Sequence, residues 1–182
     1  MSSSEEVTVS AAETARTLEK PVMLNGTVVK GFGRGSKMLG IPTANIPAQP
    51  LERELEGMST GIYAGWASVD GGEPYKAVLS IGWNPYFKNT EKTIEPHILH
   101  TFDEDFYGAH LAVCVTAYLR PECNFPSLEA LIDGIRNDIE VARKLLDGEH
   151  HVSCRSRAVE VASTPSPSSV PVPEAASEAG AK

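Results

Sequence analysis

The stretch "GIYAGWASVDGGEPYKAVLSIGW", Gly61 to Trp83, decides the fold class. Two runs rich in β-branched and aromatic residues flank Asp70-Gly71-Gly72. Asp-Gly between such runs is the composition of a tight hairpin turn, because its backbone must visit φ > 0. Upstream, "VMLNGTVV" (Val22–Val29) reads as a strand. Downstream, Lys92–Phe102 is another extended run, although Pro96 argues for a sheet edge or a bulge there. His110–Leu119 alternates and is rich in β formers. No helical pattern separates these runs, so a βαβ alternation is absent. The one long helical pattern comes last. Ser127 is a natural N-cap, the apolar positions Leu128, Leu131, Ile132, Ile135, Ile139, Ala142, Leu145 and Leu146 keep helical spacing, and Gly148 is a stop. Five or six strands followed by one amphipathic helix predict a mainly β fold: a small antiparallel barrel with a packed C-terminal α-helix.

The chain has 182 residues and a formal net charge of −8. That length suits one domain with tails. Residues 1–17 are Ser, Ala, Glu and Thr without apolar periodicity, and 153–182 are dominated by Pro, Ser and Ala. Both are expected to be disordered tails around a domain at 18–152. The acidic balance argues against a nucleic-acid partner. No run approaches the roughly 18 apolar residues of a membrane span. Cys114, Cys123 and Cys154 are odd in number, widely spaced and without metal-ligand spacing. They fit a reducing compartment, and with no leader pattern at the N-terminus the expectation is a cytoplasmic protein.

Chemistry concentrates in "GFGRGSKMLGIPTANIP", Gly31 to Pro47. Three glycines with Lys30, Arg34 and Lys37 around them suit a phosphate-binding loop, since exposed N–H groups and cations both attract anions. A merely flexible turn is the alternative. No helix opens after the loop, because Gly40 and Pro42 intervene, so neither a dinucleotide fingerprint nor a Walker loop is present. In an extended segment Thr43 and Asn45 point the same way. Two neutral oxygen ligands beside a phosphate loop suit Mg²⁺, which takes few protein ligands and keeps water and substrate phosphate oxygens. The alternative is that both side chains bond a turn. In "TIEPHILH" Glu95 and His97 share one face, opposite Ile94, Ile98 and His100. Glu95 is either a general base or a solvated strand carboxylate. Trp83, Tyr86 and Phe87 are either packing residues or an aromatic wall for a flat ring.

In order along the chain, "GFGRGSKMLGIPTANIP", "STGIYAGWASV", "VLSIGWNPYFKNTEKTIEPHILHTFDEDFYG" and "YLRPECNFPSLEALIDGIRNDIEVAR" resemble eukaryotic riboflavin kinase. The likeness covers about Leu24 to Leu146. It implies a Greek-key barrel that transfers the γ-phosphate of ATP to the 5′-hydroxyl of riboflavin, giving FMN. It implies that Gly31, Lys37, Thr43, Ile98, His100 and Tyr107 contact ATP. By the same resemblance Thr43 and Asn45 hold Mg²⁺, with Mn²⁺ or Zn²⁺ as other divalent ions. Glu95 corresponds to the catalytic carboxylate, and Arg120, Cys123 and Phe125 to flavin contacts. Cys123 departs from the family, where a lysine can stand; a backbone contact would survive that change and a charge contact would not. The expected partners are ATP and riboflavin, with neither nucleic acid nor membrane, on a monomer. Bacterial relatives often carry an adenylyltransferase as well, for which this chain has no room, so a monofunctional enzyme is expected. The reading from another class is a non-catalytic flavin-binding or oligonucleotide-binding barrel; the net charge argues against the second.

Overall fold

The computed structural model describes residues 10–31, 39–83 and 92–164. Five strands form one antiparallel sheet: β1 (Arg16–Thr27), β2 (Gly61–Val69), β3 (Tyr75–Trp83), β4 (Lys92–Ile98) and β5 (His110–Arg120). Their spatial order is β1-β5-β2-β3-β4. Three consecutive strands with the fourth returning beside the first make a Greek key. The turn between β2 and β3 is the one its composition demands. Asp70 (φ 47°) and Gly71 (φ 73°) both sit in the left-handed region, and the Gly72 N–H donates to the Val69 carbonyl at 2.8 Å. The Asp70 carboxylate also accepts from the His110 N–H at 2.7 Å, which ties the turn to β5.

The sheet closes on itself through residues 42–46. The Val29 N–H donates to the Asn45 carbonyl, and the N–H groups of Ala44 and Ile46 donate to the carbonyls of Pro96 and Ile94. The segment therefore bridges the extension of β1 to the outer edge of β4. Pro96 fits because a residue in an antiparallel strand points its N–H and C=O to the same side. Its carbonyl faces the closing segment, so the missing N–H costs β3 no rung.

The barrel interior is filled by Leu24, Leu79, Ile81, Ile94, Leu111, Val113 and Val115, all essentially inaccessible. Burial of each such side chain contributes about 1.5–3 kcal/mol before chain entropy is charged against it. A second apolar layer lies outside the barrel, on the other face of β2 and β5. There Ala64, Trp66, Cys114, Ala117 and Leu119 meet Ala142 and Leu146 of α2 (Leu128–Leu145) and its C-cap, together with short helices from both ends of the chain. The Ser127 hydroxyl accepts from the Ala130 N–H, as a capping serine should. Lys76 of β3 donates to the Arg143 carbonyl and pairs with Asp147, both at 2.7 Å, near the C-terminal end of α2.

Ordered structure reaches beyond the expected 18–152 boundaries at both ends. Residues 11–17 and 153–164 are not tails. α1 (Ala11–Thr14) is capped by Ser10 and buries Ala11, while the Thr14 hydroxyl donates to the Leu119 carbonyl. β1 begins at Arg16 rather than Val22, with a register irregularity between Thr17 and Val22 that accommodates Pro21. After α3 (Glu149–Val152), α4 (Cys154–Ala162) lies on β2 and β5. Its buried face is Cys154, Ala158 and Ala162, and Arg155 extends its guanidinium over the Trp66 ring at 4.8 Å. Small residues let a helix approach a sheet closely, yet they carry little hydropathic signal. Burial, and then the neighbouring Cys154, push the Cys114 thiol up to about 12, and both sulfurs are buried between the sheet and α4. Among the described residues, no helix is long and apolar enough to cross a membrane.

Candidate functional site

The closing segment carries the chemistry. Ala44 and Ile46 turn inward and are 8 % and 3 % exposed, so the alternation of an extended chain turns Thr43 and Asn45 outward together. Gly31 lies directly above Asn45. A Cβ on Gly31 would stand 2.4 Å from the Asn45 amide nitrogen, so any larger residue there would push that carboxamide out of its present position. Two neutral oxygens are too few to cage a metal alone, and among the described residues no His/Cys/Asp/Glu cluster could do so. The donor set fits a hard cation that completes its shell with phosphate and water oxygens.

On one side of Thr43 opens a mostly apolar cleft of about 290 Å³ between the sheet and α2. Ile62 and Val78 form its sheet wall, Leu131 and Ile135 its helix wall. Glu95 and His97 project into it from β4, opposite their β3 partners Ser80 and Val78. Its far end is built by Arg120, Cys123 and Phe125. Arg120 is 5 % exposed, and its guanidinium is committed to the protein. Nε and one Nη donate to the two carboxylate oxygens of Asp138, each at 2.8 Å. The other Nη donates to the Pro121 carbonyl at 3.0 Å and to the Cys123 sulfur at 3.1 Å. Burial lowers the proton affinity of Arg120, and the Asp138 bonds more than restore it, leaving its pKa above the ordinary value. Burial also pushes the Asp138 carboxyl up, and the Arg120 bonds offset this only in part. Phe125 lies under the guanidinium and against Gly134 of α2, where a Cβ would stand 2.5 Å from the ring.

On the other side of Thr43 is a notch of about 70 Å³. Ile98, His100, Phe102, Phe106 and Tyr107 line it with Val28, Ala44 and Pro96. His100 stacks on Tyr75 with centroids 3.8 Å apart and planes 12° from parallel, and Phe102 meets both rings edge-on. Tyr107 is 52 % exposed, with the Lys30 ammonium 5.9 Å above its ring. Pro42 and Asp105 complete the rim. Among the described residues, Thr43 alone lines both cavities.

The sequence model of the riboflavin kinase family matches residues 18–146. The chain belongs to the riboflavin kinase family. It is 57 % identical to the human riboflavin kinase over 135 residues, which is 74 % of this chain and 87 % of that protein. It is 55 % identical over 127 residues to the bifunctional riboflavin kinase/FMN phosphatase of Arabidopsis thaliana, covering 70 % of this chain and 34 % of that one. The crystal structure of riboflavin kinase from Trypanosoma brucei superposes with a TM-score of 0.66 at 29 % identity, covering 84 % of this chain and 94 % of that one.

The riboflavin kinase fold gathers the predicted residues into two groups. Glu95, Arg120, Cys123 and Phe125 meet in the cleft; Ile98, His100 and Tyr107 meet in the notch. Gly31 and Asn45 line neither cavity but touch each other beside Thr43. Lys37, Arg34, Tyr86 and Phe87 lie outside the described residues. The expected aromatic wall does not include Trp83. It is 47 % exposed, lies 5.5 Å beneath the Lys92 ammonium, and borders a separate trough with Glu52, Arg53 and Glu56. That trough is larger, about 550 Å³, but none of the predicted site residues among the described ones lines it. Asp138 is the cleft-lining residue that pattern reading missed. Its signal was a charge three residues after Ile135 and four before Ala142, on the apolar stripe of α2 rather than its solvent face.

Proposed function

We propose that the cleft and the notch are two halves of one phosphoryl-transfer site that meet at Thr43, with riboflavin in the cleft and ATP entering from the notch. The chain is an ATP-dependent riboflavin kinase and forms FMN. The observation that carries the site assignment is Thr43, shared by both cavities, with the Glu95 carboxylate on the cleft side. A flat isoalloxazine ring fits a slot between Ile62 and Val78 on the sheet and Leu131 and Ile135 on α2. The adenine end meets Ile98 and the stacked rings around His100. Gly31, at the start of the glycine-rich loop, stands over the phosphates.

Phosphoryl transfer asks for position and charge neutralisation more than covalent chemistry. Thr43 and Asn45 would hold Mg²⁺, which supplies charge for the phosphate oxygens. Glu95 accepts the proton of the ribityl 5′-hydroxyl as that oxygen attacks the γ-phosphorus in line. Phe125 and the helix wall keep the ring fixed and the cleft dry. Arg120 supports this wall through its own bonds, and a backbone contact at Cys123 suffices where a lysine can stand in relatives. The three cysteines, all free, fit a reducing cytoplasm.

The test is Glu95→Gln in a chromatographic assay of FMN formed from riboflavin and Mg-ATP. Glutamine keeps the shape and cannot take the proton. The expected result is a fall in kcat of about 10²- to 10⁴-fold with KM for both substrates little changed. A kcat within a few-fold of the parent and a normal melting curve would remove Glu95 from the mechanism.

A further inference from the structure

Two prolines face each other where the closing segment passes Thr43. The ladder from that segment to β4 runs Ile46 N–H to Ile94 carbonyl at 3.1 Å, then Ala44 N–H to Pro96 carbonyl at 2.8 Å. Pro96 has no N–H to return to Ala44. The next residue in register is Pro42, which has none to offer Ile98. The ladder thus loses two donors within one step of Thr43, the residue at the junction of the cavities. His97 stands at this gap. Its Nδ1 lies 2.7 Å from the Pro42 carbonyl. A carbonyl only accepts, so Nδ1 carries the hydrogen.

We propose that His97 is a positioning residue whose ring replaces the missing rung and fixes Thr43 relative to Glu95. The placement makes this more than packing. His97 is two residues from Glu95 on the same face of β4, and Pro42 immediately precedes Thr43. One side chain therefore ties the strand that bears the base to the segment that bears the metal ligands. Thr43 turns outward on an extended segment, so its hydroxyl moves with the Pro42 carbonyl. The proposal rests on the reading of Thr43 as a metal and nucleotide residue. It requires only an N–H at the Nδ1 position and no proton transfer by the ring.

The test compares His97→Ala, His97→Asn and His97→Gln with Thr43→Ala, by calorimetric titration with Mg-ADP and with riboflavin alone, beside melting curves. The amide nitrogen of Asn falls near the Nδ1 position and that of Gln near Nε2. His97→Ala is expected to lose up to about tenfold in Mg-ADP affinity, the weight of one net hydrogen bond. His97→Asn should recover most of it, and His97→Gln should not. His97 also lines the cleft, so riboflavin alone is titrated as the reference, and the order Asn above Gln is expected for Mg-ADP and not for riboflavin. Mg-ADP affinity of His97→Ala equal to the parent's overturns the proposal, as does His97→Asn no tighter than His97→Gln; the second comparison decides if the alanine variant fails to fold. If Thr43→Ala leaves Mg-ADP binding unchanged, the reading of Thr43 fails and the proposal with it. If Thr43→Ala weakens binding and His97→Ala does not, the positioning role alone is lost.

Discussion

The two halves of the site are held by different physics. The cleft proposed for the flavin is fixed from behind by a buried ion pair, Arg120–Asp138, that uses both carboxylate oxygens and sits between β5 and α2. The notch proposed for the nucleotide is fixed by rings stacked at the barrel rim, with Tyr75, His100 and Phe102 in mutual contact and Tyr107 half in solvent. A desolvated charge pair has few alternative geometries, because breaking it strands a charge. Ring stacks are worth about 0.5–1.5 kcal/mol each and adjust by small slides. The cleft should therefore be shaped before its ligand arrives, while the notch should give way under substitution without loss of the fold.

The largest effect should come from breaking the cleft's support on one side only. Asp138→Leu leaves the Arg120 guanidinium buried without its carboxylate, at a cost of about 3–5 kcal/mol. Replacing both partners, Arg120→Met with Asp138→Leu, should restore most of the stability while riboflavin affinity stays low. Denaturant melts give the first quantity and riboflavin titration the second. A double variant that binds riboflavin like the parent would show that the pair serves stability alone.

A smaller effect is expected at the notch. Tyr75→Leu keeps apolar bulk and removes the His100 stack. Mg-ADP affinity should fall several-fold with riboflavin affinity almost unchanged, and the melting temperature should drop by only a few degrees, as the loss of one or two ring contacts requires. A large loss of stability would mean that the rings, like the ion pair, are part of the frame.

The smallest effect concerns the shared frame rather than either half. His151 is the buried residue of α3, with Nδ1 2.9 Å from the Thr116 hydroxyl, and burial lowers its pKa from the ordinary 6.5. The unfolded chain then takes up the proton first as pH falls. Its contribution is present above pH 6.5 and is lost as pH falls below that value. The drop in melting temperature between about pH 7.5 and about pH 5.5 should be steeper for the parent than for His151→Asn. Parallel pH dependences would mean that His151 titrates alike in both states.

The sheet was legible because its signals are local. Asp70-Gly71 allows one kind of turn, Ser127 marks the start of α2, and Pro96 points to an edge that the closing segment then covers. The outward pairing of Thr43 with Asn45, and of Glu95 with His97, follows from strand alternation alone. What escaped depends on contacts distant in sequence. α4 binds the sheet through Cys154, Ala158 and Ala162, whose small size gives close approach but no apolar stripe. α1 is four residues long, too short for any period. Asp138 reads as a gap in a helical pattern until Arg120, eighteen residues away, is seen to fill it. Trp83 has the composition of a ring wall, yet the end of β3 turns it toward the other trough.

The central claim is that Thr43 joins two separable halves. Thr43→Ala tests it most directly, by two titrations on one protein: riboflavin alone, and Mg-ADP across a range of Mg²⁺ concentrations. The account predicts weaker Mg-ADP binding that is partly recovered at high Mg²⁺, with a smaller change in riboflavin affinity, since Thr43 borders the cleft as well. Mg-ADP binding with unchanged strength and unchanged Mg²⁺ dependence would contradict it.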